Sequence, residues 1–375
     1  MNLKHFNFKE GVLYSEDSNL LELSNSLETP FYVYSAETIR ENCRSYKAGL
    51  SSSDLACYAV KANSNLSILS LIKDEGLGFD VVSGGELKRV LKIGADPKKI
   101  VFSGVGKSKE ELKLACDNEI FSINVESEYE LELLEELNKT PRISFRINPD
   151  IAAESHPYIE TGKADCKFGI SEDEALTLAK KYGTEKIKLV GVSAHIGSQI
   201  TNTDLLVEAY EKLENLADQL VALGFEIDHI DVGGGLAIDY ELEKNFSPDE
   251  LIKKLKKFSS KYDLTLEPGR SIVAQAGVLI TKVLGIKENG SQKFLIVDAG
   301  MNDLIRPSLY SARHKIDNLM ESSEKKDLYS VVGPVCETAD SFGSDFEVSA
   351  NAGDCLLYTS PSPRDATLSR MPSSA

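Results

Sequence analysis

The sequence predicts an α/β protein: a (β/α)8 TIM-like barrel followed by a C-terminal domain of the β-sandwich or β-barrel type. Two observations favour the barrel. Short apolar, β-branched runs alternate with amphipathic helical segments along the first two thirds of the chain, which is typical of a parallel sheet covered by helices. The residues directly after these runs are often glycine or carry polar groups. Strand ends of this kind form the active-site rim of a barrel.

The predicted barrel strands are short and rich in valine, isoleucine and leucine. They lie at Leu55–Val60, Phe79–Val82, Ile100–Phe102, Ser122–Val125, Ile143–Ile147, Leu189–Ala194, Ile227–Val232 and Leu264–Glu267. Apolar residues at three- and four-residue spacing predict helices between them, among them Ser127–Leu137, Glu172–Tyr182 and Thr203–Leu223.

After Arg270 the pattern changes to β-rich segments without regular helices between them. These segments are Ser271–Ile286, Lys293–Val297, Leu328–Val332 and Asp345–Val348. We therefore expect a barrel over residues 27–271 and an incomplete β-type domain over residues 1–26 and 272–354.

Composition restricts the class of protein. The chain has 375 residues, 42% of them hydrophobic and 27% charged, as in ordinary globular proteins. A net charge of -17 argues against binding nucleic acid, which requires clustered Lys and Arg. No apolar run approaches the ~20 residues of a membrane span. The six cysteines form no CxxC pair, so we expect no metal site, reduced thiols and a cytoplasmic protein.

Several strand ends carry side chains suited to chemistry. Lys61 follows the first strand, where a partly desolvated amine can react with an aldehyde cofactor, although most such lysines are simply solvated. Gly233, Gly234 and Gly235 follow the seventh strand. Their amides can close on a phosphate, or the run can be only a flexible turn. It does not match the dinucleotide-binding GxGxxG pattern.

The eighth strand ends in Glu267-Pro268-Gly269-Arg270. The carboxylate can pair with a protonated pyridine nitrogen, and Arg270 can bind a carboxylate or phosphate through two hydrogen bonds. The alternative is a turn flanked by a surface ion pair. His195 ends the sixth strand and can stack on a flat ring, with the Ser198 hydroxyl nearby, or can be a core histidine satisfied by a carbonyl.

The β-type domain adds an Arg306-Pro-Ser-Leu-Tyr310 segment and a Cys336-Glu337-Thr-Ala-Asp340 segment. The first offers an anion-binding guanidinium and a phenol. Cys336 can be a small buried hydrophobe, but its position after Gly-Pro-Val favours a loop tip and a chemical role. One segment, Gly104-Val-Gly-Lys107-Ser108, resembles the end of a P-loop. However, Val101 occupies the position at which that loop requires glycine. A nucleotide-triphosphatase reading is therefore rejected.

Taken together, these motifs resemble the fold-type III, PLP-dependent decarboxylases, and within them the diaminopimelate decarboxylase family. The resemblance covers about residues 25 to 354 and follows ten stretches in order: Thr29–Tyr34, Tyr58–Asn63, Asp80–Glu86, Val101–Ser108, His156–Gly169, His195–Gln199, Asp231–Leu236, Glu267–Arg270, Arg306–Tyr310 and Cys336–Asp340.

The resemblance implies a role for each of these positions. Lys61 would hold pyridoxal 5'-phosphate (PLP) covalently, Glu267 would face its pyridine nitrogen and His195 its ring. The phosphate would be bound by Gly233, Gly234, Gly235, Ser198 and the backbone around Gly269. The substrate, meso-diaminopimelate, would be held at its distal carboxylate by Arg270, Arg306 and Tyr310. Cys336 would protonate the carbon that loses CO2. Cys336 and Glu337 would reach into the partner's site, which implies a homodimer.

The last residues depart from the family pattern. Residues 355–375 begin Cys-Leu-Leu-Tyr-Thr-Ser-Pro-Ser-Pro-Arg and resemble a translated sequencing adapter. Their composition predicts a disordered, non-native tail. We therefore expect the β-type domain to lack a strand and a C-terminal active-site tyrosine, with activity reduced accordingly.

Three other functions are compatible with parts of the pattern. A related decarboxylase of carboxynorspermidine or a basic amino acid would keep Lys61 and Glu267, but Arg306 and Tyr310 argue against a cationic distal end of the substrate. A non-catalytic homologue would have no need of Lys61, Glu267 and Cys336 together. Length and the Cys-Glu motif disfavour a racemase of the same barrel group.

Overall fold

The computed structural model describes residues 3–151, 166–241, 243–244, 246–258, 261–323 and 325–359. Its strands in chain order are β1 Phe6–Lys9, β2 Val12–Ser15, β3 Ser18–Asn19, β4 Phe31–Tyr34, β5 Leu55–Ala59, β6 Gly78–Val81, β7 Ile100–Phe102, β8 Ser122–Val125, β9 Arg142–Ile147, β10 Lys188–Ala194, β11 His229–Asp231, β12 Asp263–Leu266, β13 Gly277–Asn289, β14 Gln292–Val297, β15 Ile316–Asn318, β16 Asp327–Val332, β17 Ser341–Val348 and β18 Cys355–Thr359.

The α-helices of the described residues are α1 Leu20–Ser26, α2 Ala36–Lys47, α3 Leu66–Asp74, α4 Gly84–Lys92, α5 Lys109–Asp117, α6 Glu128–Glu136, α7 Glu172–Lys186, α8 Asp204–Ala222, α9 Pro248–Phe258, α10 Arg270–Val273 and α11 Arg306–Tyr310. Short 3-10 turns cover Val60–Ala62 and Pro97–Lys99. None of these helices is long and apolar enough to cross a membrane.

Strands β5 to β12 close into a parallel barrel, which confirms the predicted fold class. Each strand pairs with the next one in sequence, and β12 pairs with β5 to close the ring. Strands β6, β7, β8 and β11 are buried at every position, because helices cover the outside of a parallel sheet. All eight predicted strands are present at the expected places, with ends shifted by up to two residues.

Serine and glutamate fix where several barrel helices begin. Ser108 accepts the amide of Glu111, and the Glu111 carboxylate accepts the amide of Ser108 in return, a capping box at the start of α5. At α4 and α7, the side-chain oxygens of Ser83 and Ser171 accept the amides of Glu86 and Glu174. These caps define where the helices begin. They therefore also define where the strand-to-helix loops end, at the carboxyl end of the barrel.

Among the described residues, the second unit comprises residues 3–41, 238–241, 243–244, 272–323 and 325–359. It contains a three-stranded sheet, β1-β2-β3, and a sheet of order β15-β18-β13-β14-β16-β17 in which β4 also pairs with β13. Its core includes Leu279, Leu295, Val331 and Tyr358, all fully buried. The described residues up to 41 lie in the same unit as the β-rich C-terminal segments.

Three details of the domain prediction are wrong. Residues 27–41 and the described residues 238–241 and 243–244 belong to the β-type unit, the former because Phe31–Tyr34 forms an antiparallel strand against β13. Residues 270–273 are a short helix, and the predicted strand at Ser271 begins only at Gly277. Residues 306–310 form a helix among the β-rich segments.

The expected irregular tail is also wrong for its first five residues. Cys355–Thr359 forms β18, antiparallel to both β13 and β15. Leu356, Leu357 and Tyr358 are fully buried, because this short run is apolar although the following residues are rich in Ser and Pro. Residues 360–375 lie outside the described part of the chain.

Candidate active site

The Lys61 side chain lies at the carboxyl end of the barrel, in the turn that follows β5. Its Nζ is 2.9 Å from Asp80 Oδ2 on β6, and the side chains are 16% and 0% exposed. Among the described residues, Asp80 Oδ1 is buried without a hydrogen-bond partner. The amine is therefore held by a carboxylate that retains unused acceptor capacity.

Asp80, Asp231 and Glu267 form a buried carboxylate cluster around this lysine. Burial first, and then the charges of Asp231 and Asp80, raise the pKa of Glu267 well above its ordinary value, while Lys61 opposes the rise. The pKa of Asp231 is raised as well, mainly by burial. One amine thus faces three acidic groups, and a cationic ligand atom would relieve their repulsion.

Ser103, directly after β7, and Asn124 of β8 hold Glu267 in place. Its Oε1 accepts a hydrogen bond from Ser103 Oγ at 3.2 Å and lies 3.5 Å from Asn124 Nδ2. Asn124 Nδ2 also donates to Ser103 Oγ at 3.0 Å. The Glu267 carboxyl is therefore fixed from β7 and β8, opposite its own position after β12.

The glycine run after β11 packs so closely that larger residues do not fit. A Cβ at Gly233, Gly234 or Gly235 would lie 2.5, 2.1 or 2.3 Å from a backbone oxygen of a neighbouring strand end or loop. Gly233 and Gly235 also have φ of 70° and 107°, which favours glycine. The amide of Gly233 donates to Asp231 Oδ1 at 2.8 Å, so the run is tied to the carboxylate cluster.

His195 and Ser198 follow β10 beside this run. The Gly234 amide donates to His195 Nδ1 at 3.2 Å. The Ile200 amide donates to Gly235 O at 2.8 Å, which brings the loop that carries Ser198 to the glycines. The carboxyl end of the barrel therefore assembles His195, Ser198 and the glycine run.

Gly269 lies against the turn of Lys61. A Cβ there would be 3.0 Å from Ala59 Cβ and 3.2 Å from Ala62 Cβ, and the Ala59 amide donates to Pro268 O at 2.9 Å. Arg270 begins α10 immediately afterwards. The residues predicted in the barrel half of the site are therefore grouped at one rim.

Sequence reasoning missed the polar residues inside the strands. Arg146 Nη1 donates to Glu126 Oε1 at 2.7 Å, and its guanidinium lies 4.8 Å from the Phe168 ring. Glu126 also accepts the amides of Gly104 and Gly169. The signal for Arg146 in the sequence was a charged side chain in an otherwise apolar strand, as for Asp80, Asn124 and Asp231, whereas Glu126 directly follows β8.

Lys107 of the P-loop-like segment has a structural role. Its Nζ donates to the carbonyl oxygens of Gly104 and Asn124 at 2.8 and 2.6 Å and lies 3.1 Å from Glu130 Oε1. Both charged side chains are 1% exposed. Lys107 therefore ties the loop after β7 to the end of β8, in agreement with the rejection of a nucleotide site.

The other predicted residues lie in the β-type unit. Arg306 is buried, with Nη1 3.3 Å from His314 Nε2 and its guanidinium 4.1 Å from the Tyr240 ring and 6.0 Å from the Tyr310 ring. Cys336 and Glu337 are exposed in the loop between β16 and β17, as predicted for a loop tip. Of the motif His156–Gly169, residues 156–165 lie outside the described ranges.

The arrangement fits PLP. The buried acids suit a protonated ring nitrogen, Lys61 supplies an amine for the aldehyde, and the glycine run provides closely packed backbone beside the Ser198 loop. The described residues contain no group of three or more His, Cys, Asp or Glu placed to hold a metal ion.

The chain is similar to known PLP-dependent proteins. Residues 36–274 match the family model of the pyridoxal-dependent decarboxylases, pyridoxal binding domain. The diaminopimelate decarboxylase of Aquifex aeolicus (strain VF5) is 44% identical over 361 residues, 92% of this chain and 85% of that protein.

Two solved structures are similar throughout. The diaminopimelate decarboxylase of Helicobacter pylori complexed with L-lysine has a TM-score of 0.86 and 42% identity, covering 91% of this chain and 88% of that one. The enzyme of M. jannaschii in co-complex with L-lysine has a TM-score of 0.89 and 35% identity, covering 97% and 89%. This chain belongs to the diaminopimelate decarboxylase family of PLP-dependent enzymes.

Proposed function

We propose that this protein catalyses the PLP-dependent decarboxylation of meso-2,6-diaminopimelate to L-lysine and CO2, the last step of lysine biosynthesis. The observation that carries the proposal is the Lys61 amine inside the buried cluster of Asp80, Asp231 and Glu267. Membership of the family supports the choice of substrate.

The barrel residues would hold and orient the cofactor. Lys61 would bind its aldehyde carbon, Glu267 its pyridine nitrogen and His195 one face of its ring. Its phosphate would meet Gly233, Gly234, Gly235, Ser198 and the backbone at Gly269. When bound, PLP supplies an electron sink for the pair left on the α-carbon as the bond to CO2 breaks.

The remaining residues would act on the substrate. Arg270, Arg306 and Tyr310 would bind the carboxylate that is retained, and Glu337 would complete the substrate site. The Cys336 thiol would give its proton to the α-carbon, so that a C–H bond replaces the C–C bond to CO2. The buried position of Arg306 against aromatic rings supports a fixed direction for its guanidinium.

We also propose a cytoplasmic homodimer in which Cys336 and Glu337 complete the site of the partner subunit. Their exposure in the loop between β16 and β17 supports the dimer, since an exposed thiol and acid are available to a second copy. The free cysteines of the described chain agree with a reducing compartment.

The experiment is to load the purified protein with PLP and to measure CO2 and lysine formed from meso-diaminopimelate. Ornithine and carboxynorspermidine serve as competing substrates with a cationic distal end. We expect equimolar CO2 and lysine from meso-diaminopimelate and no product with K61A. Preferential release of CO2 from a cationic substrate would contradict the proposal.

A further inference from the structure

Asp340 lies at the end of the loop that carries Cys336 and Glu337. Its side chain is buried, with the residue 4% exposed, although the residues just before it in the loop are exposed. Its two oxygens accept amides from two different segments. Met301 N donates to Oδ1 at 2.6 Å, and Val335 N donates to Oδ2 at 2.7 Å.

Backbone hydrogen bonds close the loop of Cys336 next to the Asp340 carboxylate. The Gly333 amide donates to Asp340 O at 3.2 Å, and the Asp340 amide donates to Glu337 O at 3.0 Å. A Cβ at Gly333 would lie 2.4 Å from Asp340 Oδ2, so glycine is what allows the approach. Asp340 therefore fixes both ends of the segment that presents the thiol.

A second contact connects the same loop to α11. Ser308 Oγ donates to Ala339 O at 2.6 Å, and Ser308 lies in the helix of Arg306 and Tyr310. Met301, which donates to Asp340, lies on the segment that leads into this helix. The loop that carries Cys336 is thus joined to α11 by the Ser308–Ala339 hydrogen bond and to the segment that leads into α11 by the Met301–Asp340 hydrogen bond.

We propose that Asp340 is a positioning residue, whose carboxylate fixes the loop of Cys336 and Glu337 on the segment that leads to α11. This inference rests on the proposed function, in which Cys336 is the proton donor. A carboxylate is needed because both of its oxygens accept amide hydrogens, whereas asparagine would turn its NH2 group toward one of the two donors.

The test is D340N in the full PLP-loaded chain, with D303N as the matched control. Asp303 lies on the same segment, and its carboxylate accepts hydrogen bonds from the Gly300 amide at 2.9 Å and from Asn302 Nδ2 at 3.2 Å, both outside the loop of Cys336. Three quantities are measured: the Kd for PLP, the rate of Cys336 alkylation by iodoacetamide, and kcat and KM for meso-diaminopimelate.

We expect D340N to keep the wild-type Kd for PLP, because the cofactor site belongs to the barrel. Its Cys336 should be alkylated at least threefold faster and its kcat should fall at least tenfold. S308A should change both in the same direction by a smaller factor, and D303N should resemble wild type. A folded D340N with wild-type alkylation and kcat would overturn the proposal.

If D340N does not fold, amide exchange in the wild-type protein decides. The amides of Met301 and Val335 should exchange as slowly as those of β16, and fast exchange at both would overturn the proposal. Failure of the proposed function is distinguishable, since it would appear as a wild-type protein that releases no CO2. The alkylation and exchange rates report on Asp340 in either case.

Discussion

Lys61 Nζ and Asp80 Oδ2 are 2.9 Å apart at the carboxyl end of the barrel. The contact follows from the register of β5 and β6, in which Ala59 is paired with Asp80, so that the lysine two residues further on reaches back over the carboxylate. A carboxylate that is inaccessible to solvent holds the amine at a defined place. The chemistry proposed for the site depends on this placement.

The cofactor-free protein should lose stability as the pH rises, because of Glu267. Its pKa is raised above the ordinary value of 4.5 in the folded state. The stability it contributes is complete below that value and is lost as the pH rises toward the raised pKa. Relative to E267Q, the free energy of unfolding should fall by up to about 1.4 kcal/mol per pH unit.

Urea unfolding of both cofactor-free proteins between about pH 5 and about pH 8 checks this sign. E267Q keeps a polar group of the same shape and cannot ionise. Parallel stability curves for the two proteins would show that Glu267 is not desolvated as described.

Gly234 should not tolerate alanine. The added Cβ would lie 2.1 Å from the backbone oxygen of Glu267, and backbone at a strand end of a closed barrel cannot move away freely. We expect G234A to lose about 3 kcal/mol of unfolding free energy or more. G285A is the matched control, because a Cβ there meets nothing within 4 Å and should be nearly neutral. Equal melting temperatures of the two variants would contradict the packing.

The pair of Lys107 and Glu130 should show the behaviour of a buried ion pair. K107M leaves the Glu130 carboxylate buried without its cation, which costs about 3–5 kcal/mol. The double variant K107M/E130L removes both charges and should recover most of that loss. A double-mutant cycle by urea unfolding measures the coupling between the two sites. Additive losses would indicate that the two side chains do not interact.

Leu357 tests whether β18 belongs to the core. The side chain is fully buried between the strands of the β-type unit, so L357A should cost about 2–5 kcal/mol. L328A is the control, because Leu328 on β16 is 59% exposed, and should be nearly silent. If L357A left the free energy of unfolding unchanged, residues 355–359 would not pack as a strand. The irregular tail predicted from their composition would then be correct.

Most of the barrel could be predicted because each strand is marked by a short local pattern of residues. Runs such as Ile100–Phe102 and Ser122–Val125 are buried along their whole length, and glycine or polar residues end them. The residues of the proposed site that follow strands, such as Lys61 and Glu267, could be predicted for the same reason.

The features that the sequence did not predict depend on strand register or lie in short segments. Asp80, Asn124 and Arg146 lie inside strands, and only the alignment of neighbouring strands brings them to the lysine or to Glu126. The strand Cys355–Thr359 was missed because its composition was averaged with that of the Ser- and Pro-rich residues after it. The β-branched residues of Ser271–Val273 suggested a strand, but these residues form a helical turn.

The most direct test of the account is to identify which lysine carries the cofactor. The protein is incubated with PLP, reduced with borohydride, digested, and the modified peptide is sequenced by mass spectrometry. We predict one pyridoxyl group per chain, on Lys61, and none on K61R, which retains the charge next to Asp80. A folded protein that carries the group on another lysine, or carries none, would contradict the site described here.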